Sequence, residues 1–128
     1  MTKPTVAVVG ASADRAKFGN KSVRAHVSQG YDVYPVNPKG GEIEGLTAYS
    51  SIEDVPVEKL DRVSVYLPPA VLLGVLDSIA AKGCDELFLN PGSESDEVVA
   101  KAEALGLNPI VACSIVDVGH SPSEFGSE

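Results

Sequence analysis

The stretch Val6–Asn20, VAVVGASADRAKFGN, constrains the fold more than any other part of the chain. Val6, Ala7, Val8 and Val9 form a short unbroken apolar run, the pattern of a parallel strand buried on both faces. The run stops at Gly10, passes through Ala11 and Ser12, and leads into a helix predicted from Gly19 to Gln29, with Gly30 as its C-cap. Small residues at the end of a buried strand bring backbone amides and a helix N-terminus to one point, which makes an anion site. The spacing is not G-x-G-x-x-G, so the position after the first strand carries the reading rather than the motif. Ser12 adds a hydroxyl donor, Arg15 and Lys17 can clamp a phosphate from the rim, and the amides near Gly19 and Asn20 complete the cradle.

The remaining chain alternates between strand and helix. A second strand, Tyr31–Val36, ends in Asn37, Pro38 and Lys39, and a glycine-rich loop with Gly40, Gly41 and Gly45 follows. A weak helix is predicted near Ile52–Leu60. The third strand, Val63–Leu67, is stopped by Pro68 and Pro69, and Pro69 suits the first position of a helix reaching Lys82. The fourth strand, Glu86–Leu89, ends in Asn90, Pro91 and Gly92. Ser93 with Asp96 matches a capping box for a fourth helix that closes at Gly106, and the fifth strand is Asn108–Ala112. This order predicts an α/β fold, a doubly wound sheet of five mainly parallel strands flanked by helices, with the order 3-2-1-4-5 expected. Residues 1–113 then form one domain, and 114–128 a partly irregular C-terminal tail.

Ligands of such sheets bind beyond the carboxyl ends of the strands, which here read GAS, NPK, PPA, NPG and ACS. The second end lacks the acid that an NAD site places near this point to accept from ribose hydroxyls. Lys39 offers instead a point charge suited to a ribose phosphate, which favours coenzyme A or NADP over NAD. At the third end, prolines make a rigid apolar wall for a base or an alkyl chain.

Charge points the same way. The formal net charge of −8 disfavours nucleic acid and anionic membrane as partners. Yet residues 1–41 hold Lys3, Arg15, Lys17, Lys21, Arg24 and Lys39 against Asp14 and Asp32, a net +4, while the remainder carries −12. An acidic chain that gathers its bases around one glycine loop is suited to a small polyanion. No apolar stretch is long enough to span a bilayer, and the first strand starts almost at once, which leaves no room for a leader; a cytoplasmic location is expected. Cys84 and Cys113 have no metal-ligand spacing and read as reduced thiols. His26 is expected on a partly exposed helix face. His120 lies near Asp117 and Ser121 in the tail, but nearness in sequence does not make a triad. No pairing suggests a metal site, so the chain reads first as a binder.

Taken in order, VAVVGAS, Gly19-Asn20, GYDVYPVNPK, the Tyr49–Pro56 stretch and the PP and PG strand ends resemble the small stand-alone CoA-binding proteins. They are more distantly similar to the N-terminal domain of succinyl-CoA synthetase alpha subunits and of ADP-forming acyl-CoA synthetases. The resemblance implies a Rossmann-like domain holding CoA or an acyl-CoA along the carboxyl edge of its sheet. It implies that Gly10, Ala11 and Ser12 meet the phosphates and that Lys39 meets a phosphate of the ADP portion. Pro68 and Pro69 would flank the nucleotide, and Pro91 with Gly92 would line the pantetheine arm. Cys113 stands where many relatives have a cysteine, but in the context ACSIVD rather than Asp-Arg-Cys. The expected function is binding of CoA or an acyl-CoA without catalysis. The alternative is an NADP-binding or CoA-dependent enzyme, using Cys113 or completing its site in a homo-oligomer or with a CoA-ligase partner. A third reading is a regulator that reports CoA status to another protein.

Overall fold

The computed structural model describes residues 3–127. Five strands, β1 (Thr5–Val9), β2 (Asp32–Val36), β5 (Leu60–Val65), β6 (Cys84–Leu89) and β7 (Pro109–Val111), form one sheet in which every pairing is parallel. A hairpin of β3 (Glu42–Ile43) and β4 (Leu46–Thr47) stands apart. The helices are α1 (Phe18–Ser28), α2 (Pro69–Leu73), α3 (Leu76–Lys82), α4 (Asp96–Ala104) and the short α5 (Ser114–Asp117). Among the described residues no helix is long and apolar enough to cross a membrane.

The run at Val6–Val9 is buried on both faces, as its sequence predicts. Val6 and Val8 pack with Val23 of α1, whereas Ala7 and Val9 pack with Leu76 and Ile79 of α3 and Val98 and Ala102 of α4. The α1 side of the neighbouring strands is polar, with Arg62, Ser64 and Asn90 all buried there. That face is held by hydrogen bonds rather than by a second full apolar core.

The sheet order is β2-β1-β5-β6-β7, or 2-1-3-4-5 when only its own strands are counted. The expected order 3-2-1-4-5 is therefore wrong in the place of the third strand. Leu60–Val65 pairs with β1 on the side away from β2, with Val6 opposite Arg62 and Val9 opposite Val65. Pro35 supplies a physical reason. It lies inside β2, opposite Val8, and a residue without an N–H suits an edge strand, not one paired on both sides. No further strand of the sheet pairs with the outer side of β2 among the described residues; Tyr49 bridges to it there, its N–H donating to the Pro35 carbonyl at 2.9 Å. The connection reverses direction between β1 and β5, so the ligand crevice of a doubly wound sheet lies between these two strands rather than between the first and fourth.

Other differences are local. The predicted helix at Ile52–Leu60 shrinks to a 3-10 turn, Ile52–Asp54, capped by Ser51 ahead of Pro56. The helix expected from Pro69 to Lys82 breaks at Gly74 and Val75 into α2 and α3, glycine being a poor helix former. The cap of α4 is Ser95, which accepts from the Val98 N–H at 3.1 Å. Ser93 instead turns inward and donates to the Val65 carbonyl at 3.2 Å. Ser95→Ala is accordingly expected to cost about 1 kcal/mol in a denaturant titration. An unchanged midpoint would show that the cap contributes nothing. The residues after β7 form α5 and a 3-10 turn at Pro122–Glu124, and both pack against α1.

Candidate functional site

An open cleft of about 540 Å³ lies at the carboxyl ends of β1, β2, β5 and β6. Its shape depends on two glycines. Gly10 has φ +92°, and a Cβ there would stand 3.0 Å from the Tyr66 carbonyl carbon. A Cβ on Gly19 would stand 2.2 Å from the Gly10 carbonyl oxygen, closer than any real contact. The start of α1 thus rests directly on the end of β1, and only glycine permits that approach.

Ten of the expected site residues line the cleft: Gly10, Ala11, Ser12, Lys17, Gly19, Asn37, Pro38, Pro68, Pro91 and Gly92. Their chemistry is not uniform. The N–H groups of Gly10 and Ala11 both donate to the Val36 carbonyl, at 3.1 and 3.2 Å, so these amides stitch β1 to β2. Ser12 Oγ accepts from the Asp14 N–H at 3.0 Å and keeps its own proton to donate. The first turn of α1 has no side-chain cap from Lys17 and no acidic residue, the state that favours an anion at a helix N-terminus. Asn37 Nδ2 donates to the Ala11 carbonyl at 2.8 Å, while its Oδ1 accepts from the Lys39 N–H at 2.8 Å. It fastens the two loops together.

Four expected residues stand outside the cleft lining. Asn20 is fully buried and works as scaffold: its Nδ2 donates to the Ser12 carbonyl at 2.9 Å and to Glu44 at 3.0 Å, and its Oδ1 accepts from Arg24 at 2.8 Å. Arg15 pairs with Glu44, Nε to Oε2 at 3.3 Å. Lys39 lines a smaller cavity of about 210 Å³ that shares Ser12 and Asn37 with the cleft. Pro69 is the first residue of α2.

Phe18, Tyr66, Leu67 and Ser93 line the cleft and were not among the expected residues. Phe18, Leu67 and Ser93 each adjoin a residue the sequence did single out and Tyr66 stands two before Pro68, so nearness to the strand ends and to Gly19 was the available signal. Leu67 also borders a separate apolar cavity of about 160 Å³ on the α3 side of the sheet, with Ile52, Val71, Val75 and Ile79. Gly10 and Pro38 are common to both spaces.

Beneath the cleft, Asn90 Nδ2 donates to Ser64 Oγ and the Val65 carbonyl, and its Oδ1 accepts from the Ser114 N–H. Ser114 Oγ lies 2.7 Å from Ser64 Oγ and 3.1 Å from the Tyr66 hydroxyl. Burial pushes the Tyr66 phenol above its ordinary pKa, so it stays protonated. Burial likewise pushes the Cys84 thiol up to about 11, which leaves it unreactive. Cys113 is half-buried at the start of α5.

His26 differs most from expectation. It is fully buried, its Nδ1 is 2.8 Å from the Ser22 carbonyl, and its Nε2 is 3.4 Å from Arg62 Nη1. Arg62 donates and the carbonyl accepts, which assigns the proton to Nδ1. Residues Ser22 and His26 face the sheet because α1 lies on its polar side, a fact no helical periodicity reveals. His120 bonds to Ser28 and Gln29, away from the cleft.

The family pattern described as CoA binding domain matches residues 4–119. The alpha subunit of ADP-forming acetate–CoA ligase I from Pyrococcus furiosus is 35% identical over 85 residues, which cover 62% of this chain and 18% of that one. A conserved hypothetical protein from Pyrococcus furiosus superposes with a TM-score of 0.79 at 34% identity, covering 91% of this chain and 99% of its own. The dinucleotide forming acetyl-coenzyme A synthetase 1 of Candidatus Korarchaeum cryptofilum, solved with phosphate and ADP, superposes with a TM-score of 0.74 at 31% identity over 84% of this chain and 25% of its own. The chain spans less than a fifth of the length of the curated relatives it matches.

Proposed function

Because the chain belongs to the CoA binding domain family, we propose that its cleft binds coenzyme A or an acyl-CoA and catalyses no reaction of its own. The observation that carries this reading is the contact of Gly19 with Gly10, which sets the uncapped start of α1 between an apolar cavity and the open cleft. A linear ligand with a base, a diphosphate and a long arm matches that succession. The base enters the apolar cavity beside Leu67 and Val71. The diphosphate meets Ser12, Lys17 and the first turn of α1, and the arm follows Pro91 and Gly92. Lys39, from its adjoining cavity, reads the ribose phosphate. In this reading residues 1–113 are the ligand-binding domain and 114–128 its C-terminal tail.

Support for binding without turnover comes from the cleft lining, which among the described residues holds no carboxylate, imidazole or thiol and whose Tyr66 phenol burial keeps protonated. A CoA-ligase subunit is the partner class that fits, since the matched relatives carry this region within much longer chains.

Calorimetry with CoA, dephospho-CoA and NADP tests the reading. CoA should bind and NADP should bind at least tenfold more weakly, a difference of about 1.4 kcal/mol. Ligand at about 100 times Kd should stabilise the fold by roughly 2.7 kcal/mol. The absence of both binding heat and thermal stabilisation at millimolar CoA would overturn the proposal. Lys39→Ala should weaken CoA by roughly tenfold, the scale of one charge-assisted hydrogen bond, and leave dephospho-CoA nearly unchanged. Equal losses would move Lys39 to the diphosphate.

A further inference from the structure

Among the described residues, six large apolar side chains are prominently exposed: Phe18, Val27, Val71, Leu105, Val111 and Val116. Scattered surface apolar residues are ordinary, and Val27, Leu105, Val111 and Val116 lie outside every cavity described above. Phe18 differs, because it is 56% exposed and lines the cleft itself. It contributes nothing to the buried side of α1, which is built from Gly19, Asn20, Ser22, Val23, Ala25 and His26. Its ring is positioned by Lys21, whose Nζ lies 5.5 Å from the ring centroid.

From this placement we infer that Phe18 is the apolar wall for the pantetheine arm and thereby a determinant of specificity for CoA over its nucleotide half. The inference rests on the assignment of the cleft to CoA. The apolar cavity that suits the base is built from the strand ends, the Ser50–Ile52 stretch, α2 and α3, and no residue of α1 takes part in it. Phe18 is the first residue of α1, one before Gly19, and lines the same cleft as Pro91 and Gly92. With the diphosphate at the first turn of α1 and the base on the α3 side, the part of the ligand left for Phe18 is the arm. The arm carries a gem-dimethyl group and methylene segments, which gain from contact with an aromatic face, whereas the diphosphate does not. Phe18 serves no core, and an apolar ligand segment in the cleft would give its ring a surface to bury against.

The test compares CoA with adenosine 3′,5′-bisphosphate, which has the nucleotide but no arm, on the wild-type chain and on Phe18→Ala and Phe18→Leu. Phe18→Ala should weaken CoA by roughly tenfold, equivalent to about 1.4 kcal/mol, with the bisphosphate unaffected. Phe18→Leu should recover part of the loss, since it keeps an apolar surface. Thermal melting should be unchanged in both variants because the side chain is exposed. Equal losses for both ligands, or no loss for CoA, would overturn the role of Phe18 while leaving the CoA assignment intact. Failure of the wild-type chain to bind CoA would overturn both.

Discussion

Gly19→Ala should abolish CoA binding and unfold the protein at a clearly lower temperature. The new Cβ would sit 2.2 Å from the Gly10 carbonyl oxygen, and the obstacle is backbone, so no rotamer change relieves it. Either α1 moves off the end of β1 or the loop at Gly10–Ser12 opens. Overpacking of this severity costs about 3 kcal/mol, which for a domain of this size lowers Tm by roughly 10 °C. Binding is lost as well, because displacement of the first turn of α1 carries its N–H groups and Lys17 away from Ser12. Gly126→Ala is the matched control, since a Cβ there has nothing within 4 Å. Differential scanning fluorimetry with and without CoA reads both effects. Wild-type melting and binding in Gly19→Ala would mean that the helix does not rest on the strand as described.

Acidification should destabilise the fold through His26, beginning above the pH at which carboxylates titrate. Burial lowers the His26 pKa from 6.5 to about 4, opposed by the bond to the Ser22 carbonyl and reinforced by the neighbouring Arg62 charge. The imidazole therefore stays neutral in the folded chain while the unfolded chain takes up a proton near pH 6.5. The unfolded state binds more protons between these two values, so stability is fully present above pH 6.5 and declines as pH falls toward 4. Between pH 7 and pH 5 the loss is about 2 kcal/mol. Urea titrations at the two pH values measure it. His26→Gln, which can still donate to Ser22 and accept from Arg62, should be less stable at pH 7 but lose most of the slope. An unaltered slope in that variant would place the pH dependence elsewhere. Arg62 makes the site unforgiving: its side chain is 5% exposed, sandwiched between the rings of Phe88 and Tyr31, and paired with Glu86 and Asp117 at 3.1 and 2.6 Å. A second positive charge on His26 would stand against a guanidinium with little solvent to screen it.

Much of the candidate site's geometry was legible in the sequence because its determinants are local. The apolar run at Val6–Val9 announces a strand buried on both faces, and Gly, Pro and Asn at the strand ends mark where the chain must turn. Most residues chosen on those grounds do converge on one cleft. Those that do not are instructive. Asn20 and Arg15 look like ligand donors in sequence, but Glu44, more than twenty residues away, reaches both. Glu44 has φ +52° in the two-residue turn between β3 and β4, and that hairpin has only two residues on each side, too few for a periodic signal. Ser93, with Asp96 three residues on, is the cap candidate in sequence until β5 is in place to offer it the Val65 carbonyl, which leaves the cap to Ser95.

The sequence by itself determined the alternation of strands and helices, the positions of the loops and the glycines that let them close, since each follows from side-chain period and backbone freedom over a few residues. Tertiary structure alone decided where β5 lies, which face of the sheet is polar and which loop groups remain for a ligand. Parallel pairing joins segments far apart in the chain, and each strand's apolar pattern suits several neighbours equally well. Pro35 was the one local mark of the true order, because a missing N–H bears directly on pairing. The burial of His26 left no such mark: a helical histidine reads the same whether it faces water or Arg62, until the strand bearing that arginine is beside it.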